Sequence, residues 1–401
     1  MSALSGIRVV DFTQVIAGPY ATMQLASLGA SVIKVEHPRG GDQGRKMVAG
    51  NPGALDAGLA ALFTSVNSGK RSLTLDLKHP QAKGVINKLV AEADVVVENF
   101  KAGAMERLGL GPDELMAINP KLIYCRISGY GQSGPRAGAA AYDPVVQAAA
   151  GMMSVNGYEE TGPTKVGFWV VDASTGMNAA FAVSAALFRR TASGEGEVLD
   201  VAMLDTAVSL MSPLVGLYLN YGVEPPVTGN GSPGSGGSSQ VYPTGDGFIT
   251  VAAVTDAQFA AMITEAGRPD LVDDERFSRR ENRIRHSAEL REVLLECYAK
   301  DTSKGWEDRF AAVGVPCGQI SNMPQVIADE QLAARGAFSE LGALEHVNES
   351  FKAINLGFKM SSGGPSLTRM PPSLGEHTDE VLGELGLNSA DISSLRESGA
   401  I

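Results

Sequence analysis

Cysteine is scarce in this 401-residue chain. Cys125, Cys297 and Cys317 are odd in number, far apart and never paired as CxxC, which excludes a disulfide framework and points to a reducing compartment. Histidine is equally thin. His37, His79, His286, His346 and His377 show no metal-ligand spacing, so no metal site is expected. Positive charge is in deficit, with 33 Lys and Arg against 45 Asp and Glu and a net charge of −12. Nucleic acid and an anionic membrane both demand a basic face, so neither is expected as a partner. A small anionic ligand needs only a few local cations and stays open. The longest apolar stretch, Thr206 to Val223, is broken by Ser212-Pro213 and carries Asn220. It reads as buried helix, not as a membrane span. Met1 to Gly6 lack the charged and apolar blocks of a signal peptide, and a soluble, cytoplasmic protein is expected.

Also missing is a dinucleotide fingerprint. The loop after the first expected strand, Thr13-Gln14-Val15-Ile16-Ala17-Gly18-Pro19, has one glycine where that motif needs three, which argues against an NAD enzyme.

What is present is ample core material: 44% apolar and 19% charged residues, with 47 glycines. The length favours two lobes. Short β-branched runs at Ile7–Phe12, Ser31–Glu36, Arg71–Leu75, Asp94–Glu98 and Leu122–Ile127 alternate with helical periods such as Pro19–Leu28 and Pro80–Ala93. That alternation predicts an α/β fold with a parallel sheet covered on both faces. Ligands of such sheets bind beyond the carboxyl ends of the strands. A strand is expected at Glu197–Ala202, and a smaller α/β lobe begins near Gly247–Ala252. Between them the composition turns abruptly to Gly and Ser over Gly229–Gln240, which reads either as a linker or as a lid that closes over a site.

The stretch Val166-Gly167-Phe168-Trp169-Val170-Val171-Asp172-Ala173-Ser174-Thr175-Gly176 delivers one carboxylate where an apolar run meets a long apolar helix. Asp172 at such a junction is either a helix cap or a nucleophile held ionised by the helix dipole, beside backbone donors able to hold an oxyanion. Asp143, followed by Pro144, is either a second carboxylate or a helix start.

Ordered matches along nearly the whole chain resemble the family III CoA-transferases, the group of formyl-CoA transferase and carnitine CoA-transferase. They include Asp11-Phe12-Thr13 with Ala17-Gly18-Pro19, Val32 to Glu36, Asn67 with Lys70-Arg71-Ser72, Asn99-Phe100 and Ser128-Gly129-Tyr130-Gly131. Further on come Asp172, Gly176, Tyr242-Pro243 and Leu374-Gly375-Glu376-His377-Thr378. The resemblance implies a Rossmann-like large domain built from both chain ends (1–225 and 326–401), a smaller inserted domain (226–325) and an interlocked homodimer. It implies that Asp172 is the nucleophile in exchange of CoA between small carboxylic acids, through an aspartyl anhydride and an aspartyl-CoA thioester. CoA is then a substrate, and no permanently bound cofactor is expected.

By position, Val15, Ala17, His37, Leu75, Lys78, Asn99, Phe100, Arg107 and Tyr142 are the CoA-binding candidates. Ser174, Thr175, Gly176, Gly236, Gly237 and Gln240 are the oxyanion and loop candidates. Lys78 and Arg107 read equally as surface charge. The racemase branch of the superfamily places His before Asp where this chain has Tyr142-Asp143, which favours transferase over an α-methylacyl-CoA racemase or a CoA-binding protein without catalysis. The donor acid is open, with succinyl-CoA the first to test.

Overall fold

Strands of four to six residues, most of them carrying Val or Ile, build the central sheet of this computed structural model, which describes residues 2–48, 50–231 and 236–401. Strands β1 (Arg8–Asp11), β2 (Ser31–Glu36), β3 (Lys70–Thr74), β4 (Val95–Glu98), β5 (Ile123–Ser128) and β6 (Glu197–Ala202) pair in parallel in the order β3-β2-β1-β4-β5-β6. Parallel strands are buried on both faces, so they read as continuous apolar runs, and Val95, Val96 and Val97 are all buried. One face packs Val10, Val96 and Tyr124 against Val85, Ile86 and Leu89 of the Ala82–Ala91 helix and against Val381, Leu382 and Leu395 from the chain's far end. The other packs Val9, Val32 and Ile123 against Ala21 and Leu25 of the Ala17–Ser27 helix. Ala179, Val183 and Leu187 of the Val170–Ser193 helix complete that face. This last helix is long and apolar enough to cross a bilayer by length and composition, but its inner stripe is spent on the sheet.

The α/β expectation holds, and the C-terminal segment lies against the sheet. His377 N donates to Ser72 O at 3.0 Å, and Asp76 N donates to Ala400 O at 2.8 Å. An antiparallel hairpin, β10 (Phe338–Leu344) with β11 (Asn348–Ile354), is a feature the sequence reading did not assign. Its register shifts around Gly342, which breaks the period-two pattern by which a strand is recognised.

The chain divides into two compact units, one of residues 1–152, 166–215 and 330–401, the other of 153–165 and 216–329. The second holds an antiparallel sheet of β7 (Ser239–Pro243), β8 (Phe248–Ala252) and β9 (Cys317–Gln319). Tyr242, Tyr298, Trp306 and Phe310 pack edge-to-face and stacked in its core.

Two expectations are corrected. Thr206–Val223 is not one buried helix. It breaks at Met211 into Met203–Leu210 and Ser212–Tyr221, and the second piece buries none of its residues within this chain. Nor is Asp172 the junction between the apolar run and the helix. The helix already begins at Val170, with Trp169 in the cap position.

Candidate functional site

Strand order reverses between β1 and β4, so the loops leaving their carboxyl ends diverge and open a crevice. Gln14–Ala17 after β1 and Asn99–Ala102 after β4 line a cleft of about 350 Å³. The end of β5 and the turn after it (Ile127, Ser128, Gly129, Tyr130), the 138–142 loop, Gln43, Met203 and Asp172 complete its walls.

Asp172 is the third residue of its helix, not the cap. The cap is supplied from another helix. Asp143, at the start of the Asp143–Ala149 helix and only 2% exposed, accepts from Val171 N at 2.8 Å and Asp172 N at 3.1 Å through one oxygen, Oδ2. Its other oxygen accepts from Gln147 Nε2 at 2.6 Å, and Gln147 Oε1 accepts from Val166 N at 2.9 Å. One buried acid–amide pair thus fixes the segment leading into Asp172 and the first turn that carries it. The charge favoured at a helix N-terminus is Asp143 itself.

That arrangement changes the electrostatics expected of Asp172. Burial first, then the charge of Asp143, push its carboxyl up to about 7. The helix N–H groups that were to hold it ionised are already engaged.

Of the predicted CoA-binding residues, Val15, Ala17, Asn99, Phe100 and Tyr142 line the cleft together with Asp172. Tyr142 is 63% exposed, its ring turned out from the core. Leu75 does not line it. Its side chain is fully buried among Leu73, Ala82 and Val85, where the apolar pattern of the strand end places it. His37, Lys78 and Arg107 are also absent from the lining. His37 Nε2 lies 3.8 Å from Asp76, whose Oδ1 accepts from Lys78 N at 3.0 Å. Lys101, which sequence reasoning passed over, is a cation on the cleft wall. Its signal was its position next to Asn99-Phe100.

The oxyanion candidates fall elsewhere as well. Ser174, Thr175 and Gly176 sit beyond the first turn, where backbone N–H groups bond to carbonyls four residues back. The Ser174 hydroxyl donates to Val170 O at 2.7 Å. Gly176 serves packing: a Cβ there would lie 2.7 Å from Ala17 O and 3.1 Å from the Tyr20 ring. Gly176→Ala is therefore expected to cost about 1–3 kcal/mol through forced separation of the two helices. Urea denaturation will show it as a lowered midpoint at unchanged slope.

Gly236, Gly237 and Gln240 belong to the second unit. Gly236–Ser238 forms a 3₁₀ turn, and Gly237 O accepts from the Tyr242 hydroxyl. Gln240 lies in β7 and accepts from Arg291 at 2.9 Å. Residues 232–235, the middle of the expected linker or lid, lie outside the described residues.

A sequence model for CoA-transferase family III matches residues 4–378. The succinate–glutarate CoA-transferase of Agrobacterium fabrum is 37% identical, the match covering 95% of this chain and 95% of that one. Human succinyl-CoA:glutarate CoA-transferase is 34% identical over 99% of this chain and 90% of its own. Among solved structures, a CaiB/BaiF family protein from Brucella suis superposes with a TM-score of 0.85 at 34% identity, covering 96% of this chain and 99% of that chain.

Proposed function

Because this chain belongs to CoA-transferase family III, we propose that it moves coenzyme A between two carboxylic acids with Asp172 as the nucleophile. The observation that carries the assignment is the position of Asp172, a carboxylate fixed on the wall of a cleft at the sheet's reversal point. Family membership makes the chain an acyl-CoA transferase. The nucleophile, the intermediates and the acids are our reading.

The exchange is nearly isoenergetic, one thioester replacing another, so it needs a covalent relay and no external energy source. An Asp172 oxygen attacks the thioester carbonyl of the donor. The C–S bond breaks, the CoA thiolate leaves, and a mixed anhydride forms. The thiolate then attacks Asp172 Cγ and expels the donor acid as carboxylate, which leaves an aspartyl-CoA thioester. The acceptor carboxylate attacks the same carbon, releasing thiolate and forming a second anhydride. Attack of that thiolate on the acceptor's acyl carbon gives the new acyl-CoA and restores the Asp172 carboxylate. Charge is conserved throughout and no proton has to move. Asp143 supports this reading over proton abstraction at an α-carbon, since both its oxygens are committed to donors and it is no free base.

The names of the relatives point to succinyl-CoA as donor and a small dicarboxylate such as glutarate as acceptor. Incubation with succinyl-CoA followed by hydroxylamine tests the covalent relay: the protein should acquire a hydroxamate at Asp172, read by peptide mass spectrometry. An unmodified Asp172 in a protein that turns over would refute it.

We also propose that a second copy of the chain covers its apolar outer surface. Met177, Phe181 and Phe188 stand 56%, 73% and 80% exposed on the outer face of the Val170–Ser193 helix. Large apolar groups spaced along one helix face mark an interface. Phe181→Glu combined with Phe188→Glu is expected to convert a dimer into a monomer in sedimentation equilibrium. A double variant that sediments as the wild type does would rule this surface out.

A further inference from the structure

The loop leaving β1 is held in a shape it would not choose. Val15 has φ +68°, in the left-handed region that a β-branched residue avoids. Such a conformation persists only where its surroundings over-determine it, and here they do. Thr13 N donates to Asp11 Oδ1 at 2.8 Å. Asn99 brackets Gln14, accepting from its N at 2.9 Å and donating to its O at 2.8 Å.

The strongest hold comes from two residues outside the cleft wall. Lys34 Nζ donates to Thr13 O at 2.6 Å, and Asp42 Oδ1 accepts from Val15 N at 2.9 Å. The same two side chains form an ion pair at 2.9 Å, with 0% and 1% of their surfaces exposed. Asp42 is fixed in turn by its own N–H, which donates to Glu36 Oε1 at 3.0 Å, and Glu36 is held by Arg45. Burial alone would lower the Lys34 pKa, but Asp42, then Asp11 and Glu36, outweigh it and hold the ammonium above its ordinary value. A buried ion pair contributes little net stability over apolar packing. What this brace contributes is the geometry it fixes, and that geometry is the backbone of Gln14–Ala17 along the cleft.

We infer that Lys34 and Asp42 are positioning residues for coenzyme A, locking residues 13–17 into their strained, ligand-ready shape before the ligand arrives. The inference rests on reading the cleft as the CoA site. A loop ordered in advance spares the ligand the cost of ordering it, so the brace acts on affinity and not on the chemical step.

Two variants test it. Asp42→Asn keeps an acceptor for Val15 N and releases the ionic hold on Lys34. Val15→Gly leaves every hydrogen bond in place and removes the strain that the brace has to hold, because glycine adopts either sign of φ without penalty. Calorimetric titration with CoA and steady-state kinetics with succinyl-CoA are the readouts. Asp42→Asn is expected to weaken CoA binding and raise the KM for acyl-CoA by about three- to tenfold, the scale of ordering one loop residue, with the loss falling on KM and not on kcat. Val15→Gly added to it is expected to recover most of that loss. A purely structural brace would instead lower the active fraction, so kcat would fall at constant KM, and that result overturns the inference. A double variant as weak as Asp42→Asn overturns it too. If Asp42→Asn does not fold, Val15→Gly alone decides, since it is expected to bind CoA at least as tightly as the wild type at unchanged kcat, and a loss of affinity there overturns the inference. Failure of the wild-type protein to bind CoA would strike the proposed function itself, which separates the two claims.

Discussion

Asp172→Asn is expected to lose CoA transfer by a factor on the order of 10⁴ or more, since the amide cannot form the anhydride and no second free carboxylate stands beside it among the described residues. The same variant is expected to be more stable than the wild type. In the folded protein burial and Asp143 raise the Asp172 carboxyl from 3.8 to about 7. A raised carboxyl binds its proton more tightly when folded, so its stabilising contribution is complete below about pH 4 and is lost as pH rises through about 7. At pH 8 the wild type carries an ionised carboxyl that the fold disfavours, and Asn does not. Discounting the shift for partial exposure, the gain is about 1–3 kcal/mol at pH 8 and smaller at pH 5. Urea unfolding at both pH values measures it. If the variant gains nothing at pH 8, the carboxyl is not desolvated in the way described.

Asp143 carries the second large effect. Asp143→Ala removes the acceptor for Val171 N and Asp172 N and strands Gln147, leaving donors without partners in a buried place. The expected cost is about 2–4 kcal/mol in stability. Loosening of the turn that carries the nucleophile adds a fall in kcat of about 10- to 100-fold. The isosteric Asp143→Asn separates position from charge. Only the carboxylate form of Asp172 attacks, so wild-type kcat/KM should fall about tenfold per pH unit below about 7. Removing the Asp143 charge takes away the second cause of the raised value, and the acid limb moves to lower pH. An unchanged limb in Asp143→Asn, with CoA affinity intact, would show that the two carboxylates do not interact.

Much of this was legible because it is local. The β-branched runs Val9-Val10, Val32-Ile33 and Val95 to Val97 announce buried parallel strands. A carboxylate opening a long apolar helix marks Asp172, and the order of short motifs points to the family. What stayed hidden is tertiary. A cap was one of the two roles open to Asp172 because Asp is a preferred capping residue, yet the capping carboxylate comes from Asp143, 29 residues earlier in the chain. Leu75 sits where the family motif places a ligand contact, but a strand end packed on both faces turned it inward. Lys34 and Asp42 looked like an ordinary strand residue and a loop acid. Nothing in their spacing shows that both reach the backbone of residues 13–15. The hairpin 338–354 escaped because its register shifts around Gly342.

The chain passes between its two compact units at 152/153, 165/166, 215/216 and 329/330. Neither unit is therefore one uninterrupted length of sequence, and no single cleavage can release either as a free fragment. Grafting the second unit from a relative would require two separate insertions, with 153–165 and 216–329 exchanged together.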